Sequence, residues 1–325
     1  MIEVSYYFFL AIIANVLGLS RKILIKKYIF FVLWGSTYIG LALIVRTKYD
    51  TDIITYVESM LSYSKDFYYI REPVVWLGQR YLYAIIKNSQ LVFIIYDVIG
   101  GLFLYRALRN LNVPNYVFYS IIVFFPFILG MQNVYRQWLS AIIFLYAFSL
   151  NYTNSTKAKS LLFYIISVLT HNAVAIFLPL LFLHKKYNNY KLLWLISLVV
   201  SLLGIYFGAE TKSISNKGLD LGLAYLIVIS FCLVMLIYAT HGKINSSNVY
   251  SYLYFLSLII ILLFSISYLS IIAGERIALF SYMLMYPVLA LIIEKNFNQV
   301  IFLRILFVNL GFLPIFFFPT SQFLF

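Results

Sequence analysis

The sequence predicts an all-α polytopic membrane protein, and three observations carry that expectation. Of its 325 residues 63% are hydrophobic and 20% aromatic, while only 11% are charged. Mean hydropathy is +0.93, more apolar than an aqueous domain of this size tolerates. Apolar runs alternate with short polar breaks along the whole chain, so one integral membrane domain over residues 1–325 is expected, with no soluble appendage.

Hydropathy and helical periodicity place about twelve spans, near 3–20, 28–45, 90–105, 116–131, 136–150, 160–171, 172–183, 192–207, 223–240, 251–272, 277–293 and 300–318. The first run lacks the basic start and small-residue cleavage site of a signal peptide and reads as a span. Proline at 126, 179, 287 and 314 is expected to kink the helices that carry it.

Charge orients these spans. The breaks 21–27, 106–115, 151–159, 184–191, 241–250 and 294–299 hold 13 of the lysines and arginines and a single acid, Glu294. The opposite side holds ten basic residues against nine acids, so the first set is expected in the cytoplasm and both termini outside. This requires that the external loop 46–89 return without crossing. Its segment 73–87 has Val74, Leu77, Tyr81 and Ile85 at helical spacing, which suits an interfacial or shallow re-entrant helix. Pro73 fits the first turn, with Glu72 at the positive end of the helix dipole.

Between two long apolar runs lies the polar hexapeptide QNVYRQ, residues 132–137. On one continuous helix it would stack Gln132 over Arg136 and Asn133 over Gln137. An arginine near membrane depth costs roughly 3 kcal/mol or more, so it marks a functional candidate unless it simply snorkels to lipid phosphate. With this topology Arg46, Asp50, Asp52, Glu72, Arg80, Gln132, Arg136, His171, Glu275 and Arg276 all fall at the outer ends of spans. Chemistry there runs without ATP, on a substrate that brings its own leaving group.

The residue types bound what this chemistry is. Arg46 and Asp50 have the spacing of a helix-end ion pair, and Asp50-Thr51-Asp52 has the form of a divalent-cation triplet. His171 is either a helix cap or a base suited to neutral pH. Glu275 and Arg276 are neighbours, so a helix points them apart and each needs its own partner. Asp97, buried within a span, has Arg304 as its candidate partner unless that arginine snorkels inward. The lone Cys232 excludes an intramolecular disulfide, and no metal-ligand cluster or phosphate loop occurs. The net charge of +13 sits in short loops, which points to anionic membrane lipids and not to nucleic acid.

The ordered motifs resemble the EpsG-like group of Wzy-type O-antigen and exopolysaccharide polymerases. The resemblance rests on R-x-x-x-D at Arg46 and Asp50 with Tyr56 downstream, E-P at Glu72 and Pro73, Q-N-x-x-R-Q from Gln132 to Gln137, His171, and G-E-R-x-A-L-F from Gly274 to Phe280. It implies a GT-C-like glycosyltransferase in the bacterial cytoplasmic membrane with an extracytoplasmic active face. Such an enzyme transfers a growing glycan from undecaprenyl diphosphate onto the next undecaprenyl-diphosphate-linked repeat unit.

Those implied roles fall on residues already singled out. Arg136 and Arg276 would hold the donor diphosphate, because guanidinium forks match phosphate oxygens, and Arg46 or Arg80 would steer the acceptor lipid. Gln132, Asn133, Gln137 and Glu275 join them as substrate contacts. The proton acceptor is Asp50, Glu72 or His171, with Asp50 favoured by analogy to other C-type enzymes. Arginines make metal unnecessary, so no cofactor is expected, and Asp50 with Asp52 is where a divalent ion would bind. A chain-length regulator is a compatible protein partner. Rival readings are a lipid-linked glycan flippase, an O-antigen ligase, or a membrane O-acyltransferase using His171. No internal repeat or matched pair of broken helices supports the transporter.

Overall fold

A computed structural model describes residues 4–19, 26–47, 51–62, 67–152, 157–183, 189–210, 222–244, 249–296 and 300–312. Among them every regular element is helical. The first part comprises α1 (Val4–Leu19), α2 (Lys27–Val45), α3 (Thr51–Leu61), α4 (Phe67–Ile70), α5 (Pro73–Ile86) and α6 (Ser89–Asn110). The middle holds α7 (Asn115–Val123), α8 (Phe125–Gln132), α9 (Tyr135–Tyr152), α10 (Lys157–Thr170), a 3-10 helix (Asn172–Phe177) and α11 (Leu178–Leu181). It closes with α12 (Tyr190–Glu210), α13 (Gly222–Ala239), α14 (Val249–Tyr268), α15 (Ile271–Asn296) and α16 (Val300–Phe312).

The protein is a polytopic helical membrane protein, but the count of twelve spans is not upheld. Among the described residues five helices, α2, α6, α12, α14 and α15, are long and apolar enough to cross a bilayer, and the bent pair α7–α8 makes a sixth if it is one span. The expected crossings at 160–171 and 172–183 are the most altered. The first is the 14-residue α10, and the second breaks into a 3-10 turn and a four-residue helix. A helix of 14 residues is about 21 Å long, short of a hydrocarbon core of about 30 Å. Pro179 in the first turn of α11 has no N–H to continue the preceding helix.

Among the described helices Pro287 of α15 is the proline that lies beyond the first turn, while Pro314 lies outside the described residues. Pro126 acts differently. It sits in the first turn of α8, where its missing N–H breaks no helical bond, and the break falls two residues earlier at Phe124 (φ −65°, ψ 127°), where α7 and α8 meet at 54°. A second break follows at Asn133, which caps α8 two residues before α9 begins. The hexapeptide 132–137 is therefore not one helical turn: Gln132 ends one helix and Arg136 lies in the first turn of the next. The reversal is tight, for a Cβ on Gly130 would lie 2.8 Å from the Trp138 side chain.

α9 is the core of the bundle. Tyr135, Trp138 and Phe144 on it are fully buried, and it packs against α6, α8, α10 and α15. By contrast α12 and α13 expose Val200, Phe207, Phe231 and Val234, the all-round apolar character of lipid-facing helices.

α5 packs against α3, α4, α6 and α10. Pro73 is in its first turn and Glu72 is its N-cap residue. Lys87 ends it in the left-handed region (φ 58°), and the Asn88 side chain accepts the Leu91 N–H at 3.0 Å to start α6. The chain folds back there, and Gly78 closes on the hydroxyl of Tyr96, which donates to the Val74 carbonyl at 2.8 Å. Tyr81 and Ile85 face outward, whereas Glu72, Val75, Trp76 and Gln79 share the buried face.

Candidate functional site

Glu72 joins three elements. Its Oε2 accepts from Arg136 Nη1 at the start of α9. Its Oε1 lies 2.7 Å from His171 Nδ1 and accepts the Asn172 backbone N–H at 3.1 Å. The carboxylate thus leaves the N-terminus of its own helix uncapped and satisfies the first N–H of the 3-10 helix after α10. Burial alone would raise its pKa, but His171, Arg136 and the Asn172 N–H outweigh burial and hold it down at about 2. An ionised carboxylate only accepts hydrogen bonds, so His171 Nδ1 carries the proton between them.

The other side of Arg136 is aromatic. Its Nε donates to the Tyr56 hydroxyl at 3.0 Å, and its guanidinium lies 4.7 Å above the Trp76 ring. Tyr56 itself stacks on Trp76, with centroids 4.8 Å apart and planes at 26°. Tyr56 comes from α3, Trp76 from α5 and Arg136 from α9, so the plane and direction of this guanidinium are fixed from three helices. A flat, delocalised cation uses both the ring faces and the fork of donors, which an ammonium does not.

A second ionic group lies alongside. Arg46 donates from Nε to Asp97 Oδ2 at 2.8 Å and from Nη2 to Oδ1 at 2.9 Å. Tyr135 donates to the same Oδ1 at 2.9 Å, and Gln90 donates to the Arg46 carbonyl at 3.1 Å. Both charged groups are essentially inaccessible, and the Phe93 and Tyr135 rings enclose the guanidinium. This corrects two expectations. Asp97 pairs with Arg46 and not with Arg304, which instead forms a two-pronged pair with Glu294 at 2.6 and 2.7 Å. Arg46 is closed off from any lipid carrier by that same enclosure.

The remaining sequence candidates divide. Arg80 donates to the Ser59 carbonyl at 3.2 Å and lies over the Tyr69 ring, beside the Glu72 group on α5. Gln132 is buried and Gln137 half-buried, and the side-chain oxygen of each lacks a protein hydrogen-bond donor. Asn133 is half-buried in the α8–α9 break. Glu275 lies within electrostatic reach of Tyr225 on α13. Arg276 is half-buried, one turn before Phe280, whose ring stacks on Phe177 of the 3-10 helix with centroids 4.8 Å apart. Asp50 lies outside the described residues, as does the side chain of Asp52. Among the described residues no three metal-ligating side chains come together.

Sequence reasoning passed over Trp76, Gln79 and Tyr135. Trp76 lies one turn beyond Glu72, which puts both on one face. Gln79, a turn further, is fully buried with neither amide atom bonded to protein. An amide at that spacing from Glu72 was the available signal.

The sequence model described as the EpsG family matches residues 29–324. No curated protein and no solved structure matches the chain.

Proposed function

The chain belongs to the EpsG family, and from that premise we propose that it is a polysaccharide polymerase acting on lipid-linked repeat units. In this reading the acceptor is the sugar of a new undecaprenyl-diphosphate-linked unit, and the donor is the growing glycan on its own undecaprenyl diphosphate. The reaction takes place at the extracytoplasmic face.

The observation that carries the reading is Glu72 held between Arg136 and His171. A carboxylate with a pKa of about 2 is a poor proton acceptor at neutral pH, so Glu72 serves better as the residue that orients the other two. It fixes the imidazole through Nδ1, and in this reading Nε2 takes the proton, the division of labour seen in carboxylate-histidine pairs. The acceptor hydroxyl oxygen then bonds to the anomeric carbon as the bond from that carbon to the diphosphate breaks. The hydroxyl proton passes to His171, and undecaprenyl diphosphate leaves with the electron pair. Arg136, held flat on Trp76, meets the charge that develops on the leaving oxygen, with Arg276 as the second cation. Acceptor oxygens on Gln132 and Gln137 suit the hydroxyl donors of a sugar.

Purified protein in liposomes, supplied only with lipid-linked repeat units, tests this. The expected result is polymer growth with release of undecaprenyl diphosphate, without nucleotide sugar and unchanged by chelator. Movement of the lipid-linked unit across the bilayer with no new glycosidic bond would replace the proposal with the flippase reading. Loss of polymerisation with chelator, restored by magnesium or manganese, would move Asp50 and Asp52 into the site as ligands.

A further inference from the structure

α9 carries Arg136 in its first turn, while its last turns, through Phe148 and Tyr152, join α13, α14 and α15 in lining a cavity of about 230 Å³. Tyr152, on the cavity wall, is 16 positions from Arg136 along α9, so the two places lie about 24 Å apart. The cavity is therefore separate from the site above. Leu111, Tyr152, Lys243, Tyr250 and Lys295 of its lining belong to the polar breaks 106–115, 151–159, 241–250 and 294–299, which hold six of the 13 basic residues placed on that side.

Two kinds of surface meet there. The floor is apolar, formed by Leu111, Leu236, Tyr254 and Val288, all buried. Around the mouth stand Lys243 and Lys295 with the hydroxyl-bearing Thr240 and Tyr250, and no carboxylate belongs to the lining. The nearest acid in sequence, Glu294, is turned away onto Arg304 and Tyr116. Lys295 sits in the last turn of α15, where a cation is favoured by the helix dipole. Lys243 is brought to the rim by the end of α13. His241 and Gly242 take φ of 51° and 70°, and the Gly242 N–H returns to the Ile237 carbonyl at 2.9 Å, which ends the helix and turns the chain over the cavity.

We propose that this cavity binds the headgroup of an anionic phospholipid, with one phosphate between Lys243 and Lys295 and the start of a chain on the apolar floor. Charge complementarity favours an anion. The apolar floor and the membrane setting favour one carried on hydrocarbon, since basic pockets between membrane helices on the cytoplasmic side recognise lipid headgroups. The cavity is smaller than the roughly 300–1,000 Å³ of a pocket that encloses a whole ligand, so the rest of the chain must run outside. Val234 and Ile237 of α13, exposed beside the mouth, supply that path.

The test is retention of phosphatidylglycerol by the purified full chain, read by native mass spectrometry, with phosphatidylcholine and inorganic phosphate as comparison probes. Phosphatidylglycerol is expected to stay bound and phosphatidylcholine to be lost. Lys243→Gln with Lys295→Gln should weaken retention roughly thirtyfold, from the usual contribution of each lysine near an anionic lipid, and Lys→Arg at both should keep it. Val288→Trp keeps both charges but fills the floor, and it should weaken retention too, which separates a seated lipid from diffuse attraction. Equal retention of the two lipids, unaltered retention in the double glutamine variant, or equal protection by inorganic phosphate alone would overturn the proposal.

Discussion

Tyr135 and Arg136 are neighbours in the chain and serve different carboxylates: Tyr135 donates to Asp97 at 2.9 Å, and Arg136 donates to Glu72. Successive residues on a helix point about 100° apart, so the first turn of α9 reaches two ionic groups at once. The two groups differ in what surrounds them. The Asp97 pair is enclosed by aromatic rings, while Arg136 keeps 18% of its side chain accessible. The first fits a structural clamp and the second a place that meets substrate.

Arg136→Lys should abolish polymer formation although the charge is retained. A lysine cannot bond Tyr56 and Glu72 together while lying flat on Trp76. Loss of one preorganised donor to a developing charge is worth about a hundred- to a thousandfold in rate. Polymer yield at matched membrane abundance is the measurement, and near-normal yield would remove Arg136 from the chemistry.

Asp97→Ala should destabilise the fold by about 3–5 kcal/mol, because Arg46 is left buried without its counter-ion. Replacing both, Arg46→Met with Asp97→Leu, should recover most of that loss, since the pair is dispensable once neither charge remains. Thermal unfolding in detergent of the single and double variants checks this.

The pH dependence of stability follows from Glu72. An ordinary glutamate has a pKa of about 4.3, and Glu72 is held at about 2, so its contribution favours the folded form while it is ionised. That contribution is present in full above about pH 4.5 and is lost as pH falls toward 2. Acid unfolding of wild type and Glu72→Gln, followed side by side, should show this part of the acid sensitivity only in wild type.

Gly130→Ala should destabilise the α8–α9 reversal by about 1–3 kcal/mol, the usual cost of forcing a methyl group into a filled site. The new methyl would lie within 3 Å of Trp138 near its backbone, where the side chain has little freedom to move. Comparison of unfolding midpoints is sufficient, and an unchanged midpoint would mean the reversal relaxes freely.

Glu72, Arg136 and His171 were each legible in the sequence because a polar side chain in an apolar chain has few innocent explanations. Their contact was not. Glu72 lies 64 positions from Arg136 and 99 from His171, and no local periodicity reports a meeting at that range. Asp97 shows the same limit in reverse, for the sequence offered Arg304 as its partner, and packing of α2 against α6 brought Arg46 to it instead. The span count failed for a different reason. Hydropathy sees an apolar run at 172–183 but not that Pro179 and a 3-10 turn shorten it. The helix drawn through 132–137 failed likewise, at a break after Gln132 that no proline or glycine inside the hexapeptide announces.

The central claim is that Glu72 acts through His171 as one unit, and a double-mutant cycle on polymerisation rate measures this directly. Residues that work as a unit lose their combined effect with the first substitution. Glu72→Gln, His171→Gln and the double variant should therefore all fall to nearly the same residual rate. Losses that multiply in the double variant would show two independent residues and contradict the account.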